Sequence, residues 1–306
     1  MQSIITTLNL QEFTAGGISK AAFVQKLRDA FSHTGFFFLA HHGIPEEVIS
    51  RADALFRQFF TGLTTAQRLQ YEVKEKLHQV GYTPMKLETG EFSAIPDEKH
   101  FFQAGDRNDI PFVKELPAFT PACMTLFDEF RKVSITLYRA TALSLKLPED
   151  YFDKKEGNSI MRAIHYPAHD APVADDGGVN HGGNYIGMCA SKHTDINMIT
   201  LLLAREPGLE LWHNNRWAPI TITNPNMLIV NCGDMLEYIT GGRYKSGLHR
   251  VVCEKNVERY SVPYFSHMNE SESIVPLASL GESDLNKYHF ATVGQFLHHR
   301  LQQIGL

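Results

Sequence analysis

A histidine and an aspartate separated by one residue are candidates for metal binding and catalysis in this sequence. His193-Thr194-Asp195 offers an imidazole and a carboxylate, both of which bind divalent metal ions. On a β-strand or at its end, residues two apart point to the same side, so both side chains could reach one ion. The same pair also fits a solvent-exposed loop, and the pair alone does not separate the two interpretations.

Two further stretches in the C-terminal half contain residues with a chemical use. Residues 244–252 have the sequence Tyr-Lys-Ser-Gly-Leu-His-Arg-Val-Val, and an Arg-x-Ser pair follows at Arg259 and Ser261. Arg259 and Ser261 fall on one face of a predicted strand. A guanidinium pairs with a carboxylate through two parallel hydrogen bonds, and a neighbouring hydroxyl adds another. The pair therefore predicts carboxylate binding, with a surface arginine near a strand end as the alternative.

The order and spacing of these motifs resemble a known enzyme family. The segments that carry the resemblance extend over most of the chain, at residues 35–43, 193–202, 231–235, 242–251 and 259–261. Together they resemble the isopenicillin N synthase-like branch of the iron(II)/2-oxoglutarate-dependent dioxygenase family. Several motifs in the same order are far more specific than the histidine–aspartate pair alone.

The resemblance implies a metal site and a reaction. His193, Asp195 and His249 would bind Fe(II) as a facial triad of two imidazoles and one carboxylate, which leaves the opposite coordination positions open. 2-Oxoglutarate, as co-substrate, and dioxygen would use those positions. The implied enzyme oxidises a small-molecule substrate, most simply by hydroxylation, and releases succinate and carbon dioxide. Zinc hydrolases use similar ligands, but hydrolysis gives no reason for the Arg-x-Ser pair.

The resemblance also implies contacts with the co-substrate. Arg259 and Ser261 would hold the distal carboxylate of 2-oxoglutarate, and Tyr166 would help to hold the co-substrate. Ile164 stands where many plant members of the family carry asparagine, and this departure concerns one co-substrate contact. Relatives that use no 2-oxoglutarate keep the Arg-x-Ser pair and direct it at a substrate carboxylate. An iron oxidase of the same fold, without 2-oxoglutarate, and a non-catalytic metal-binding barrel are the two alternative functions.

Four residues are predicted to contact the substrate. Arg162 shares a strand face with the co-substrate tyrosine, and a guanidinium inside a barrel needs a partner. That partner is either a substrate carboxylate or an internal Asp or Glu. His100 and Phe102 fall where relatives place a strand that lines the substrate pocket, and Phe265 ends the strand that begins with the Arg-x-Ser pair. The glycine-rich insert at 175–187 is a candidate lid.

Hydrophobic periodicity divides the chain into two parts. Up to residue 150, helical patterns predominate, and one short apolar run predicts a buried strand. After residue 150, short β-rich segments alternate with Gly, Asn and Pro turns, and a last helix closes the chain. The pattern predicts a mainly β protein with flanking helices: a double-stranded β-helix (jelly-roll) core at 151–306 and an N-terminal, mainly helical region at 1–150 packed on it. Both parts should form one compact unit.

The elements on which this prediction rests are short. Helices are predicted at 18–30, 46–60, 122–147 and 291–301, and strands at 35–39, 160–166, 197–203, 209–213, 216–220, 227–232, 248–254 and 259–265. Asn214-Asn215 predicts a tight hairpin between two of these strands. Residues 61–121 show no regular pattern and are predicted to be irregular.

The overall composition excludes several classes of protein. Of 306 residues, 43% are hydrophobic and 21% are charged, which is ordinary for a globular protein and excludes disorder and collagen-like repeats. The net charge of −5 gives no general attraction to nucleic acid or to anionic membranes. The first residues lack the pattern of a secretory signal, and the four scattered cysteines predict free thiols in a cytoplasmic protein. A small-molecule substrate, which the resemblance implies, is the expected partner, and the oligomeric state is left open.

Overall fold

The computed structural model describes residues 4–74, 79–88, 96–105, 109–168, 185–254, 256–281 and 287–303. The helices in these ranges are α1 (Leu10–Thr14), α2 (Gly17–His33), α3 (Glu46–Arg57), α4 (Thr65–Leu69), α5 (Phe119–Ser144), α6 (Asp234–Ile239) and α7 (Val293–Gln303). The strands are β1 (Thr6–Asn9), β2 (Phe36–Ala40), β3 (Gly81–Thr83), β4 (His100–Ala104), β5 (Ile160–Tyr166), β6 (Tyr185–His193), β7 (Ile199–Ala204), β8 (Leu209–His213), β9 (Arg216–Pro219), β10 (Leu228–Cys232), β11 (His249–Glu254) and β12 (Arg259–Ser266).

Two sheets build the core of the molecule. The large sheet has eight strands in the order β1-β2-β10-β7-β12-β5-β4-β3, and the small sheet has four in the order β6-β11-β8-β9. Phe36 and Ile164 of the large sheet share one apolar cluster with Leu211 and Val251 of the small sheet, so the two sheets face each other. The predicted mainly β fold with a jelly-roll core and flanking helices is confirmed.

Alternation along each strand gives the large sheet two different faces. In β12, Phe265 lines a cavity, whereas Tyr264 points outward and stacks on Phe130 of α5 with ring centroids 5.6 Å apart. Helix α5 also packs against α2 and α3. The outer face of the sheet is therefore closed by helices, and the inner face is free to form a site.

The region 1–150 supplies both helices and strands. Strands β1 to β4 belong to it and lie in the same sheet as β5, β7, β10 and β12. The register places Phe37 of β2 opposite Val230 of β10. The division at residue 150 stays a prediction.

Most of the predicted elements form within a few residues of their expected limits. Asn214 and Asn215 have φ values of 51° and 60°, the left-handed conformation that a two-residue hairpin needs. The prediction of irregular structure at 61–121 is wrong in part, because α4, β3 and β4 lie there. All five residues of β4 are buried, so its sequence has no alternation between apolar and polar residues that would mark it as a strand.

The cysteines follow the prediction only in part. Cys123 and Cys232 are buried free thiols. Cys189 is disulfide-bonded, so the prediction that all four cysteines are free is wrong. Spacing along the chain does not show which residues become neighbours in a sheet, and the prediction rested on spacing.

Within the described ranges, no helix is both long enough and apolar enough to span a bilayer.

Candidate active site

Three side chains with metal-binding atoms converge at one end of the small sheet. His193 is the last residue of β6, His249 is the first of β11, and the two residues are paired across the strands. Asp195 follows in the turn after β6. Its Oδ1 lies 3.9 Å from Nε2 of His193 and 3.7 Å from Nε2 of His249, and one ligand atom from each residue lies within 4.8 Å of the others. Two imidazole nitrogens and one carboxylate oxygen are the donor set of non-haem Fe(II) facial sites.

Backbone carbonyls orient both imidazoles toward this point. Nδ1 of His193 lies 2.7 Å from the carbonyl oxygen of Ser191, and Nδ1 of His249 lies 2.9 Å from that of Gly247. An Nδ1–H that donates to a carbonyl leaves Nε2 with a free lone pair, which is how metal-binding histidines are usually held. Burial, and then the neighbouring His249, lower the pKa of His193 to about 4. The imidazole is therefore neutral at physiological pH, as a ligand must be.

The carboxylate of Asp195 is held from its other oxygen. Oδ2 accepts hydrogen bonds from Thr200 Oγ1 at 2.5 Å and from Asn231 Nδ2 at 2.8 Å. Burial by itself raises the pKa of Asp195, but His249, His193 and these two donors together lower it below its ordinary value. The carboxylate is thus ionised, with Oδ1 turned toward the two imidazoles.

We expect the Thr200 hydroxyl to contribute to metal affinity through Asp195. Thr200→Val removes the donor and keeps the shape of the side chain, and it should weaken Fe(II) binding about 10- to 100-fold, the usual effect of losing such a partner. Thr200→Ser keeps the hydroxyl and is the matched control. Equal Fe(II) affinity of the two variants, measured by anaerobic metal titration, would contradict this role.

A close backbone approach brings Asn231 and α6 to the turn that carries Asp195. A Cβ atom on Gly233 would overlap the carbonyl oxygen of Asn197, so only glycine fits at this position. The backbone N–H of Asp234 donates to the carbonyl oxygen of Asp195 at 2.7 Å. The sequence alone predicts no positioning role for Thr200 or Gly233.

The first residue of β12 is a buried arginine. Arg259 is 4% exposed; its Nε donates to the carbonyl oxygen of Pro207 at 3.1 Å, and its Nη1 donates to Ser261 Oγ at 3.0 Å. Tyr166 lies directly opposite on β5, with its ring centroid 5.1 Å from the guanidinium carbon. In the part of the chain that the structure describes, no carboxylate forms an ion pair with Arg259. A buried guanidinium without a counter-charge is costly, so this place suits the carboxylate of a ligand.

A cavity of about 980 Å³ opens beside the three converging residues. His193, Asp195, Arg162 and Phe265 are among its lining residues. Cavities of roughly 300–1,000 Å³ are typical of small-molecule sites. Arg162 and Phe265 therefore lie where a substrate near the metal site could touch them.

The partner of Arg162 belongs to the protein. Its Nη1 donates to Glu88 Oε2 at 3.0 Å, and its Nε donates to Gln103 Oε1 at 2.8 Å. Of the two alternatives for this guanidinium, the internal carboxylate is therefore the one observed. The sequence does not identify Glu88 as this partner, because the contact joins residues 74 positions apart.

His100 and Phe102 point away from the cavity, so their prediction as substrate contacts is wrong. His100 hydrogen-bonds with Tyr82 and His165, at 2.9 and 2.8 Å, on the outer face of β4. Burial, and then His165, lower the pKa of His100 to about 3. Phe102 packs edge-on against Phe119 of α5 at a centroid distance of 4.9 Å. Because side chains alternate along a strand, Phe101 takes the inner face instead.

We expect Phe102 to act on stability alone. Phe102→Ala should lower the free energy of unfolding by about 3–5 kcal/mol, the usual cost of a cavity left by a buried aromatic ring. Denaturant unfolding measures the loss. In the fraction that stays folded, the KM for 2-oxoglutarate should be unchanged, and a raised KM would show that the Phe102 ring also shapes the co-substrate site.

The predicted lid at 175–187 lies almost wholly outside the described residues; only its last three residues are described, as the start of β6.

The fold and the converging residues define a class of protein: a jelly roll with a two-histidine, one-carboxylate metal site and a buried arginine. Comparisons with known proteins agree with this class. The family model for the 2OG-Fe(II) oxygenase superfamily matches residues 157–268, and the model described as non-haem dioxygenase in morphine synthesis N-terminal matches residues 5–122.

Curated proteins and a solved structure extend the comparison over the whole chain. The 2-oxoglutarate-Fe(II) type oxidoreductase hxnY of Emericella nidulans is 30% identical over 81% of this chain and 75% of its own length. The 2-oxoglutarate-dependent dioxygenase citB of Monascus ruber is 30% identical over 85% of this chain and 83% of its own. A crystal structure from Caulobacter crescentus, assigned to the 2OG-Fe(II) oxygenase family, has a TM-score of 0.84 at 29% identity and covers 99% of this chain and 100% of its own.

The chain belongs to the 2OG-Fe(II) oxygenase superfamily. It is an Fe(II)- and 2-oxoglutarate-dependent dioxygenase, with dioxygen as the oxidant. The predicted family is thereby confirmed, and the isopenicillin N synthase-like branch is compatible with these findings.

Proposed function

We propose that His193, Asp195 and His249 hold the Fe(II) of this dioxygenase. The donor set supports the assignment, because the three ligand atoms converge while hydrogen bonds hold the other atoms of the same side chains. Asp195 supplies a negative charge to the metal, and both histidines bind it as neutral imidazoles. When bound, the iron and the co-substrate supply the activation of dioxygen, and the protein supplies position and a shaped cavity.

Arg259, Ser261 and Tyr166 are proposed to bind the distal carboxylate of 2-oxoglutarate. The observation that carries this assignment is the burial of the Arg259 guanidinium without a carboxylate partner in the described chain. Its Nη2 makes no hydrogen bond among the described residues and is free to donate to a ligand. The aromatic ring of Tyr166 forms one wall beside the guanidinium. These three residues would fix the co-substrate before the substrate arrives.

The reaction we propose is hydroxylation of a small molecule in the cavity beside His193, with release of succinate and carbon dioxide. The cavity volume of about 980 Å³ supports a small substrate. Phe265 offers an apolar surface to a substrate in this cavity.

A turnover assay tests this proposal. Purified enzyme with Fe(II), 2-oxoglutarate and isotopically labelled dioxygen should form succinate that carries one labelled oxygen atom, and a hydroxylated substrate should carry the other. Dioxygen uptake without succinate would indicate the oxidase alternative, and metal binding without dioxygen uptake would indicate a non-catalytic barrel. Either result would contradict the proposal.

We also propose a cytoplasmic enzyme that binds neither nucleic acid nor membranes. The net charge of −5 supports the absence of nucleic-acid and membrane binding. The buried free thiols Cys123 and Cys232 support the cytoplasmic location. The disulfide at Cys189 is the feature that opposes it. Fractionation of the source cells tests the location: we expect the protein in the cytosolic fraction, and its recovery with exported proteins would contradict the proposal.

A further inference from the structure

Four charged side chains lie together on the cavity wall next to the proposed metal site. Glu88, Asp97, Lys99 and Arg162 all line the cavity that His193 also lines, and we call them the wall cluster. Glu88 Oε2 lies 3.0 Å from Arg162 Nη1 and 3.2 Å from Lys99 Nζ. Lys99 Nζ also lies 2.6 Å from Asp97 Oδ2. Two positive and two negative charges thus compensate one another.

The wall cluster is anchored to the barrel from several sides. Asp97 Oδ1 accepts a hydrogen bond from the backbone N–H of Ser191 at 2.9 Å, two residues before His193 in β6. The backbone N–H of Asp97 donates to the carbonyl oxygen of Glu88 at 2.9 Å. The guanidinium of Arg162 lies over the ring of Phe101, 3.9 Å from its centroid. These contacts fix the cations and their partners in one arrangement before a substrate binds.

Glu88 occupies the place at which a substrate carboxylate would pair with Arg162 and Lys99. Burial by itself raises the pKa of Glu88, but Arg162 and Lys99 outweigh it and lower that pKa to about 2. Glu88 therefore stays ionised at every physiological pH. A second carboxylate at this wall would be repelled by the fixed negative charge of Glu88, and the two cations there are already neutralised. The arrangement therefore disfavours negatively charged ligands.

The wall cluster still has hydrogen-bonding capacity for a neutral ligand. In the described chain, Arg162 Nη2 and Glu88 Oε1 make no hydrogen bond. One is a donor and the other is an acceptor. A neutral amide or lactam edge can use both, because its carbonyl accepts a hydrogen bond and its N–H donates one. A carboxylate could use only the donor.

We propose that Glu88 is a specificity-determining residue that excludes carboxylates from this wall, and that the substrate is a neutral molecule with an amide-like edge. The carbonyl of that edge accepts from Arg162, and its N–H donates to Glu88. This inference rests on the proposed function, since it places the substrate in the cavity beside the proposed iron site.

Binding of a simple anion tests the role of Glu88 without a known substrate. The probe is benzoate, titrated calorimetrically under anaerobic conditions into enzyme loaded with Fe(II) and saturated with 2-oxoglutarate, so that Arg259 is already engaged. Glu88→Gln keeps the shape of the side chain and removes its charge, which frees Arg162 for the probe. We expect this variant to bind benzoate at least about tenfold more tightly than the wild type.

Three further variants make the test specific. Glu270→Gln removes the same charge from the same cavity, at a residue that forms no hydrogen bond or ion pair with Arg162 in the described chain, and should bind benzoate as the wild type does. Glu88→Ala should show the same gain in benzoate affinity as Glu88→Gln. Agreement between the two variants would exclude a folding defect in one of them as the cause. The double variant Glu88→Gln/Arg162→Gln should lose the gain.

The outcomes separate this inference from the proposed function. Equal benzoate affinity of the wild type and both Glu88 variants, whether tight, weak or undetectable, would overturn the inference, and so would a gain that persists without Arg162. None of these titrations needs turnover. Failure to form succinate would instead count against the proposed function, whatever the benzoate result.

Discussion

Asp195→Ala should remove nearly all Fe(II) binding and, with it, succinate formation. Asp195 supplies the one negative charge among the three proposed ligands. Loss of a residue that only orients a metal ligand costs about 10- to 100-fold in affinity, and loss of a charged ligand should cost more. Anaerobic Fe(II) titration of the purified variant measures the effect.

The control for this variant removes a carboxylate that lines the same cavity but lies outside the ligand set. Glu270→Gln should bind Fe(II) as the wild type does. Circular dichroism should show the same fold in both variants, because the hydrogen bonds that Asp195→Ala removes, those from Thr200 and Asn231, are confined to the metal site. Wild-type Fe(II) affinity in a folded Asp195→Ala protein would contradict the assignment of this ligand.

Arg259→Gln should raise the KM for 2-oxoglutarate strongly while Fe(II) affinity changes little. A bidentate, charge-assisted pair between an arginine and a carboxylate in a buried site contributes about 2–4 kcal/mol, which corresponds to roughly 30- to 800-fold in binding affinity. Arg259→Lys keeps the positive charge but cannot form the two parallel hydrogen bonds of a guanidinium. Its KM for 2-oxoglutarate should therefore fall between those of the wild type and Arg259→Gln.

Arg205→Gln is a matched control for the loss of a positive charge near the same sheet. Arg205 follows β7, its side chain is partly exposed, and it pairs with Glu46 on the surface at 3.1 Å. Its loss should leave the KM for 2-oxoglutarate unchanged. An unaltered KM in Arg259→Gln would mean that the co-substrate carboxylate binds elsewhere.

The features that the sequence predicts correctly are those that local residue patterns determine, without help from distant parts of the chain. Strand β5 was predicted at its observed limits, because its residues fit a strand and Pro167 follows it. The His193–Asp195 pair was recognised because residues two apart at a strand end point the same way. The hairpin at Asn214 was predicted because asparagine tolerates positive φ.

Strand β4 shows why two of the four predicted substrate contacts, His100 and Phe102, were wrong. His100, Phe101, Phe102 and Gln103 are all buried, so no solvent-facing polar residue indicates which face is inner. A shift by one residue exchanges the two faces of a strand. His100 and Phe102 were therefore placed in the cavity, whereas the inner positions belong to their neighbours.

Contacts between residues that are far apart in the sequence could not be predicted from local sequence patterns. Thr200 and Asn231 meet at Asp195 only after β7 and β10 pair in the large sheet. Glu88 reaches Arg162 from a segment without regular structure. The types of these residues suit their roles, but only the fold brings them together.

A crystal structure of the enzyme grown anaerobically with Fe(II) and 2-oxoglutarate tests the central claim most directly. We expect anomalous density for iron between Nε2 of His193, Oδ1 of Asp195 and Nε2 of His249, and the distal carboxylate of 2-oxoglutarate paired with the guanidinium of Arg259. Iron bound at other residues, or 2-oxoglutarate bound without contact to Arg259, would contradict the account.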